Sequence, residues 1–274
     1  MIIVSKHDFG FVHIAKCAGS TIRQQLREHD DLEGRLSRTH QIEGYGKLNC
    51  SHLPLQVLGE IFPEDLQALR RVTSYTICRE PLDRFASGIA QRLRGTLGRE
   101  PGEMKQSEIM HETENVMAHL EAHRGDLTNG YVLFAPQIGY VELDGETVVS
   151  NVVPIERMDV LFDAIEHKHN LPIQRDTVWN PTVTYRNPRL TGPLNRLKKY
   201  AREHLPVSQY SKLRDVGVRV FTKKGVPRLE EAIKGSERIK AFVQSYYAAD
   251  IALHRRAVEA TSDTVSGSAS SAGS

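Results

Sequence analysis

Cysteine is scarce in this 274-residue chain, and the three that occur, Cys17, Cys50 and Cys78, fit no zinc or redox spacing. That excludes a disulfide framework and leaves the expectation of separate reduced thiols behaving as small buried hydrophobes. Long apolar runs are missing as well. No window reaches the roughly 18 consecutive apolar residues of a membrane span, and the first residues lack the basic lead, apolar centre and small-residue cleavage site of a secretory signal. The expectation is a cytoplasmic protein with no transmembrane segment. Nor is there an excess of one charge. With 36 Lys and Arg against 34 Asp and Glu the net charge is +2, so nucleic acid is not an expected partner of the chain as a whole and any basic function is local. The twelve histidines show no metal-ligand spacing, and no metal is expected. The single tryptophan, Trp179, stands in WNPT, where Pro181 rules out an N-glycosylation acceptor.

What is present reads as an α/β fold. Residues 9–14 (FGFVHI) form a strand feeding a helix over 20–29, and the β-branched and aromatic stretch 71–78 (RVTSYTIC) runs straight into REPLDRFASGIAQRL. In that second unit Pro81 falls where a first helical turn tolerates it, and Phe85, Ile89 and Leu93 share a face. Two strand-turn-helix units predict a central parallel sheet flanked by crossover helices. Asp144-Gly145 marks a hairpin turn. Ile239, Phe242, Val243, Tyr246 and Tyr247 share a stripe of one closing helix. Eleven Lys and Arg against Glu203 and Asp215 fill residues 186–224, where an amphipathic helix capped by Thr191 turns Leu194, Leu197, Ala201 and Leu205 inward. Residues 261–274, rich in Ser, Gly and Ala, read as a disordered tail.

The turn after the first strand, AKCAGST, carries the chemistry. A strand, a glycine-containing turn and a helix opening on hydroxyl residues make an anion trap, since unpaired N–H groups, a close backbone approach and hydroxyl donors converge there. Lys16 precedes Gly19, whereas the nucleotide loop GxxxxGK[ST] places its lysine directly before the Ser or Thr. The second element is Arg79–Ile89 (REPLDRFASGI), with Arg79 at the carboxyl end of a strand, Pro81, Arg84, and Ser87 two helical turns along. Ligands in open α/β sheets bind at those strand ends.

These two elements together resemble the PAPS-dependent sulfotransferases, whose 5'-phosphosulfate loop reads roughly PKxxGT/S-T/S and whose 3'-phosphate motif is RxPxxRxxSxY. Ala15 replaces the proline and Ile89 the final tyrosine. SHLPL (51–55) is similar to the histidine-bearing segment of the carbohydrate branch, FAPQIGYV (134–141) to its Gln-containing segment, and SYYAADIALHRR to its closing helix. The resemblance implies a P-loop-like three-layer fold in one domain over 1–260, with 95–130 and 186–224 as acceptor-side insertions. It implies 3'-phosphoadenosine 5'-phosphosulfate as sulfuryl donor, adenosine 3',5'-bisphosphate as product, and a carbohydrate or glycoconjugate hydroxyl or amine as acceptor; the basic stretch 186–224 would attract an anionic one. Lys16, Cys17, Ala18, Gly19, Ser20, Thr21, Arg79 and Ser87 would bind the donor, and Lys16 would also stabilise charge on the bridging oxygen. His52 is the expected base, ahead of His13, His40 and Glu80, the last being more simply an ion-pair partner of Arg79. A P-loop small-molecule kinase and a non-catalytic nucleotide- or glycan-binding protein remain the competing expectations.

Overall fold

The computed structural model describes residues 1–128, 130–175 and 227–269, together with 183–185, 222–224 and isolated positions between 193 and 220. Trp179, most of the basic stretch 186–224 and residues 270–274 lie outside the described residues. Of the apolar positions expected to face inward in that stretch, Ala201 is buried but Leu197 is 56% exposed.

The chain begins with a short strand that periodicity missed, β1 (Ile2–Val4), followed by β2 (Phe9–Val12) and the short helix α1 (Ser20–Gln25). A hairpin of β3 (Thr39–Ile42) and β4 (Gly46–Asn49) leads to α2 (Leu55–Ile61) and α3 (Pro63–Arg70). Then come β5 (Thr73–Cys78), α4 (Pro81–Gly95) and α5 (Gln106–Ala122), the hairpin β6 (Glu142–Leu143) and β7 (Glu146–Thr147), β8 (Asn151–Pro154) and α6 (Met158–Asp163). Among the later described residues, β9 (Val183–Tyr185) pairs with β10 (Thr222–Lys224), and α7 (Pro227–Lys234), α8 (Glu237–Tyr246) and α9 (Ala248–Ala269) follow.

The fold is mixed α/β. Its main sheet has the order β1-β2-β5-β8, with β2, β5 and β8 parallel and β1 antiparallel to β2. β2 and nearly all of β5 are buried along their whole length, as parallel strands covered on both faces must be. α3 packs on β5, while α6 and α9 pack on β8. β1 escapes a sequence reading because three apolar residues carry no period; Asp8, in a left-handed turn at φ 50°, returns the chain, and its carboxylate accepts from the Thr73 amide at 3.0 Å and hydroxyl at 2.6 Å.

Phe85, Ile89 and Leu93 are buried as the spacing of α4 requires, and they join α5, α7 and α8 in a second apolar cluster beside that of the sheet. Asp144 and Gly145 both have positive φ, 52° and 82°, the backbone a two-residue hairpin turn needs. The closing helix is not continuous. Tyr247 leaves helical geometry at φ −108°, ψ 29° and separates α8 from α9, because its hydroxyl is drawn inward to donate to the Phe134 carbonyl at 2.8 Å. α9 carries helix through Ala269, into the stretch expected to be disordered from 261, and Thr261 is buried with its hydroxyl returned to the Ala257 carbonyl at 2.9 Å.

Candidate functional site

The parallel pairing of β2 with β5 ends at Val12↔Thr76, two residues before β5 itself ends at Cys78, so the turn after β2 emerges beside the carboxyl end of β5 and the turn that follows it. In the first turn Lys16 and Ala18 hold left-handed φ values of 68° and 60°, while Gly19 sits at φ −59°, ψ −11°. Two non-glycine residues in that region store strain, a feature concentrated at functional sites. Alternating handedness turns successive N–H groups to one concave side, a nest for an anion. Among the described residues, the amides of Lys16, Cys17, Ala18, Gly19 and Ser20 have no hydrogen-bond partner. The Thr21 amide donates to the Ala18 carbonyl at 3.2 Å, closing the turn.

Gly19 is needed for a reason other than ligand approach. A Cβ there would lie 2.4 Å from His13 Cδ2 and 3.0 Å from Phe11 Cζ, so α1 rests directly on the side chains ending β2. Gly19→Ala should therefore lower stability by about 1–3 kcal/mol through overpacking, read by urea denaturation. An unchanged midpoint would show that His13 can move aside.

The loop's charge is uncompensated. Lys16 is partly buried and makes no side-chain hydrogen bond or ion pair among the described residues. Burial, then Arg79, then Arg94 bring its pKa down to about 8. Arg79 Nη1 approaches the Lys16 carbonyl at 3.5 Å, so the two sequence motifs meet in space. Arg79 and Ser87 also line one cleft of about 80 Å³ with Asp83, Glu230 and Lys234. That volume suits a phosphate group. Within it two cations face two carboxylates, and Lys234 Nζ lies 2.5 Å from Asp83, so the excess positive charge is on the Lys16 side.

Two motif residues play other parts. Glu80 does not pair with Arg79; its carboxylate caps α4, accepting from the amides of Leu82 at 3.0 Å and Asp83 at 2.7 Å. Arg84 is 2% exposed, donates to the carbonyls of Ala135 at 2.7 Å and Leu133 at 3.3 Å, and lies 3.9 Å from Asp250. It belongs to the interior.

Sequence reasoning missed how Arg79 is held. Gln137, fully buried, accepts from the Arg79 amide at 2.9 Å and from Cys17 Sγ at 3.3 Å, and donates to the Arg79 carbonyl at 2.8 Å. Asp250 in turn accepts from the amides of Gln137 at 2.8 Å and Ile138 at 3.0 Å. One side chain thus ties the loop to the β5 turn. The available signal was the similarity of FAPQIGYV to a Gln-containing segment, which carried no role. Burial pushes the Cys17 thiol up to about 12, leaving it an inert neutral donor here. All three cysteines are free and buried.

His52 is brought to the loop. Its Nδ1 lies 3.2 Å from the His13 carbonyl and, opposite a carbonyl, donates; that leaves the lone pair on Nε2. The Tyr140 hydroxyl donates to the His52 carbonyl at 3.0 Å. Burial is the main cause lowering the His52 pKa to about 3, so the ring is neutral at physiological pH. The His13 ring is 4.4 Å from it, 4% exposed, and its Nδ1 has no partner. His40 is engaged elsewhere, with Nε2 3.0 Å from the Arg35 carbonyl. Among the described residues one group, Asp163, Glu166 and His167, has metal-ligand proximity, but Arg175 pairs with both carboxylates, at 2.7 Å to Asp163. No helix is long and apolar enough to cross a membrane, among the described residues.

No protein-family model, curated protein or solved structure matches the chain.

Proposed function

We propose that the protein is a PAPS-dependent sulfotransferase, moving a sulfuryl group to a hydroxyl or amine of a carbohydrate or glycoconjugate, on a P-loop-like three-layer domain spanning 1–260. The observation that carries this is the convergence, at the carboxyl ends of adjacent parallel strands, of five free amides with Lys16 and Arg79. Arg79 beside a Lys16 that makes no ion pair among the described residues favours a polyanion, although Asp83 and Glu230 line the Arg79 cleft, and a strand-end position is where such folds take ligands.

In this reading the amides of residues 16–20 hold the 5'-phosphosulfate, and Arg79 with Ser87 holds the 3'-phosphate. His52 Nε2 takes the proton from the acceptor hydroxyl as its oxygen bonds to sulfur, a role that requires the bound polyanion to offset Lys16 and so raise the lowered pKa of the ring. The bond from sulfur to the bridging oxygen breaks, its electron pair stays on the departing phosphate, and Lys16 stabilises that charge. Gln137 keeps Arg79 and the loop in register, which in-line transfer requires.

Calorimetry without magnesium tests this with adenosine 3',5'-bisphosphate, beside ATP with magnesium. The bisphosphate should bind more tightly, and Arg79→Ala should weaken it about 10- to 100-fold, the worth of a charge-assisted contact. Preference for ATP would overturn the proposal in favour of a kinase. Equal bisphosphate binding by Arg79→Ala would remove the 3'-phosphate assignment.

A further inference from the structure

The cleft assigned to the 3'-phosphate carries a charge that would repel one. Asp83 lies one helical turn before Ser87 on α4, so the two share a helix face, and both line the cleft with Arg79. Glu230 adds a second carboxylate from α7. A like charge beside a phosphate is costly unless something offsets it. Lys234 supplies the offset from the facing helix. One turn after Glu230 on α7, it brings Nζ to 2.5 Å from the Asp83 carboxylate. The hydrogen bond to Asp83, working against partial burial, holds the Lys234 pKa above the ordinary lysine value, so the side chain stays charged. Lys234 is exposed and Asp83 only partly buried, and ion pairs this open to water add little to stability. The pair is therefore better placed to tune the cleft than to hold α4 against α7.

We propose that Lys234 sets the preference of the site for a 3'-phosphorylated nucleotide, neutralising Asp83 while donating to the phosphate that Arg79 and Ser87 hold. The inference rests on the sulfotransferase reading and names what separates its donor from a plain nucleotide. An ammonium has three N–H donors, and Asp83 engages one, so Lys234 can meet a phosphate oxygen at the same time. Without Lys234, Asp83 would answer the Arg79 charge itself and compete with the ligand in a cleft of about 80 Å³.

The test is calorimetry on the full chain, without magnesium, with adenosine 3',5'-bisphosphate and with adenosine 5'-phosphate. Wild type should bind the bisphosphate more tightly. Lys234→Met keeps the aliphatic stem, and it should weaken the bisphosphate about 10-fold and leave the monophosphate unchanged. Asp83→Asn/Lys234→Met should recover most of that loss, and Asp83→Asn alone should bind the bisphosphate at least as tightly as wild type. A tie that only joins two helices would behave otherwise: Lys234→Met would weaken both nucleotides alike, and the second substitution would rescue neither. Either of those results would overturn the proposal, as would bisphosphate affinity unchanged in Lys234→Met. Failure of wild type to bind the bisphosphate at all is the separate result that removes the sulfotransferase reading.

Discussion

Lys16→Met is expected to cut sulfuryl transfer by about 10²- to 10³-fold, the cost of removing one preorganised donor to developing charge. The folded protein without ligand should lose no stability. Methionine keeps the aliphatic stem and leaves the left-handed backbone at φ 68° unchanged, while removing a charge that sits among other cations. The sign follows from linkage. The Lys16 pKa is lowered from 10.5 to about 8, so in the empty protein its proton costs stability below about pH 8, and that cost is relieved as pH rises toward 10.5. A bound polyanion relieves it instead. Adenosine 3',5'-bisphosphate should therefore raise the wild-type melting temperature more at pH 7 than at pH 9, and Lys16→Met should lose that difference. A variant that unfolds early without ligand, or one that keeps wild-type turnover, would remove Lys16 from the chemistry.

The backbone of this site was legible before the side-chain network that holds it. β5 and α4 announce themselves through β-branched content, Pro81 and a four-residue apolar spacing, all local properties. AKCAGST and REPLDRFASGI are likewise contiguous, so their residue types could be read without knowing what faced them. What could not be read were partnerships formed across the chain. Gln137 lies 120 residues from Cys17 and 58 from Arg79, and nothing local distinguishes it from a surface glutamine. Glu80 looked like an ion-pair partner of Arg79, but its nearest unsatisfied donors were the first amides of its own helix. Arg84 fitted a ligand motif, yet the same side chain is more useful inside, satisfying carbonyls that the 131–136 segment exposes toward α4. His13 entered only as a weaker candidate base than His52; the contact with Gly19 is what places it under the loop.

The largest stability loss should come from Asp250→Ala, about 3–5 kcal/mol, the range found when one partner of a buried charge pair is removed. Asp250 has no exposed surface, and its carboxylate is shared among the amides of Gln137 and Ile138 and the guanidinium of Arg84 at 3.9 Å. Arg84 is nearly as buried, and its remaining contacts are neutral carbonyls and the Tyr247 ring, 5.6 Å from Cζ to the centroid. Alanine would strand the guanidinium and both amides at once. Asp250→Asn should cost less, since its carbonyl can keep one amide, although Arg84 still loses its counter-charge. The damage reaches the site through Gln137: once its backbone is released, its side chain no longer fixes Arg79 against Cys17. Under conditions where Asp250→Asn remains folded, adenosine 3',5'-bisphosphate affinity should therefore fall even though Asp250 touches no ligand. Urea denaturation measures the first effect and calorimetry the second. Loss of stability with unchanged bisphosphate affinity would mean that the loop and the β5 turn hold their geometry without the Gln137 link.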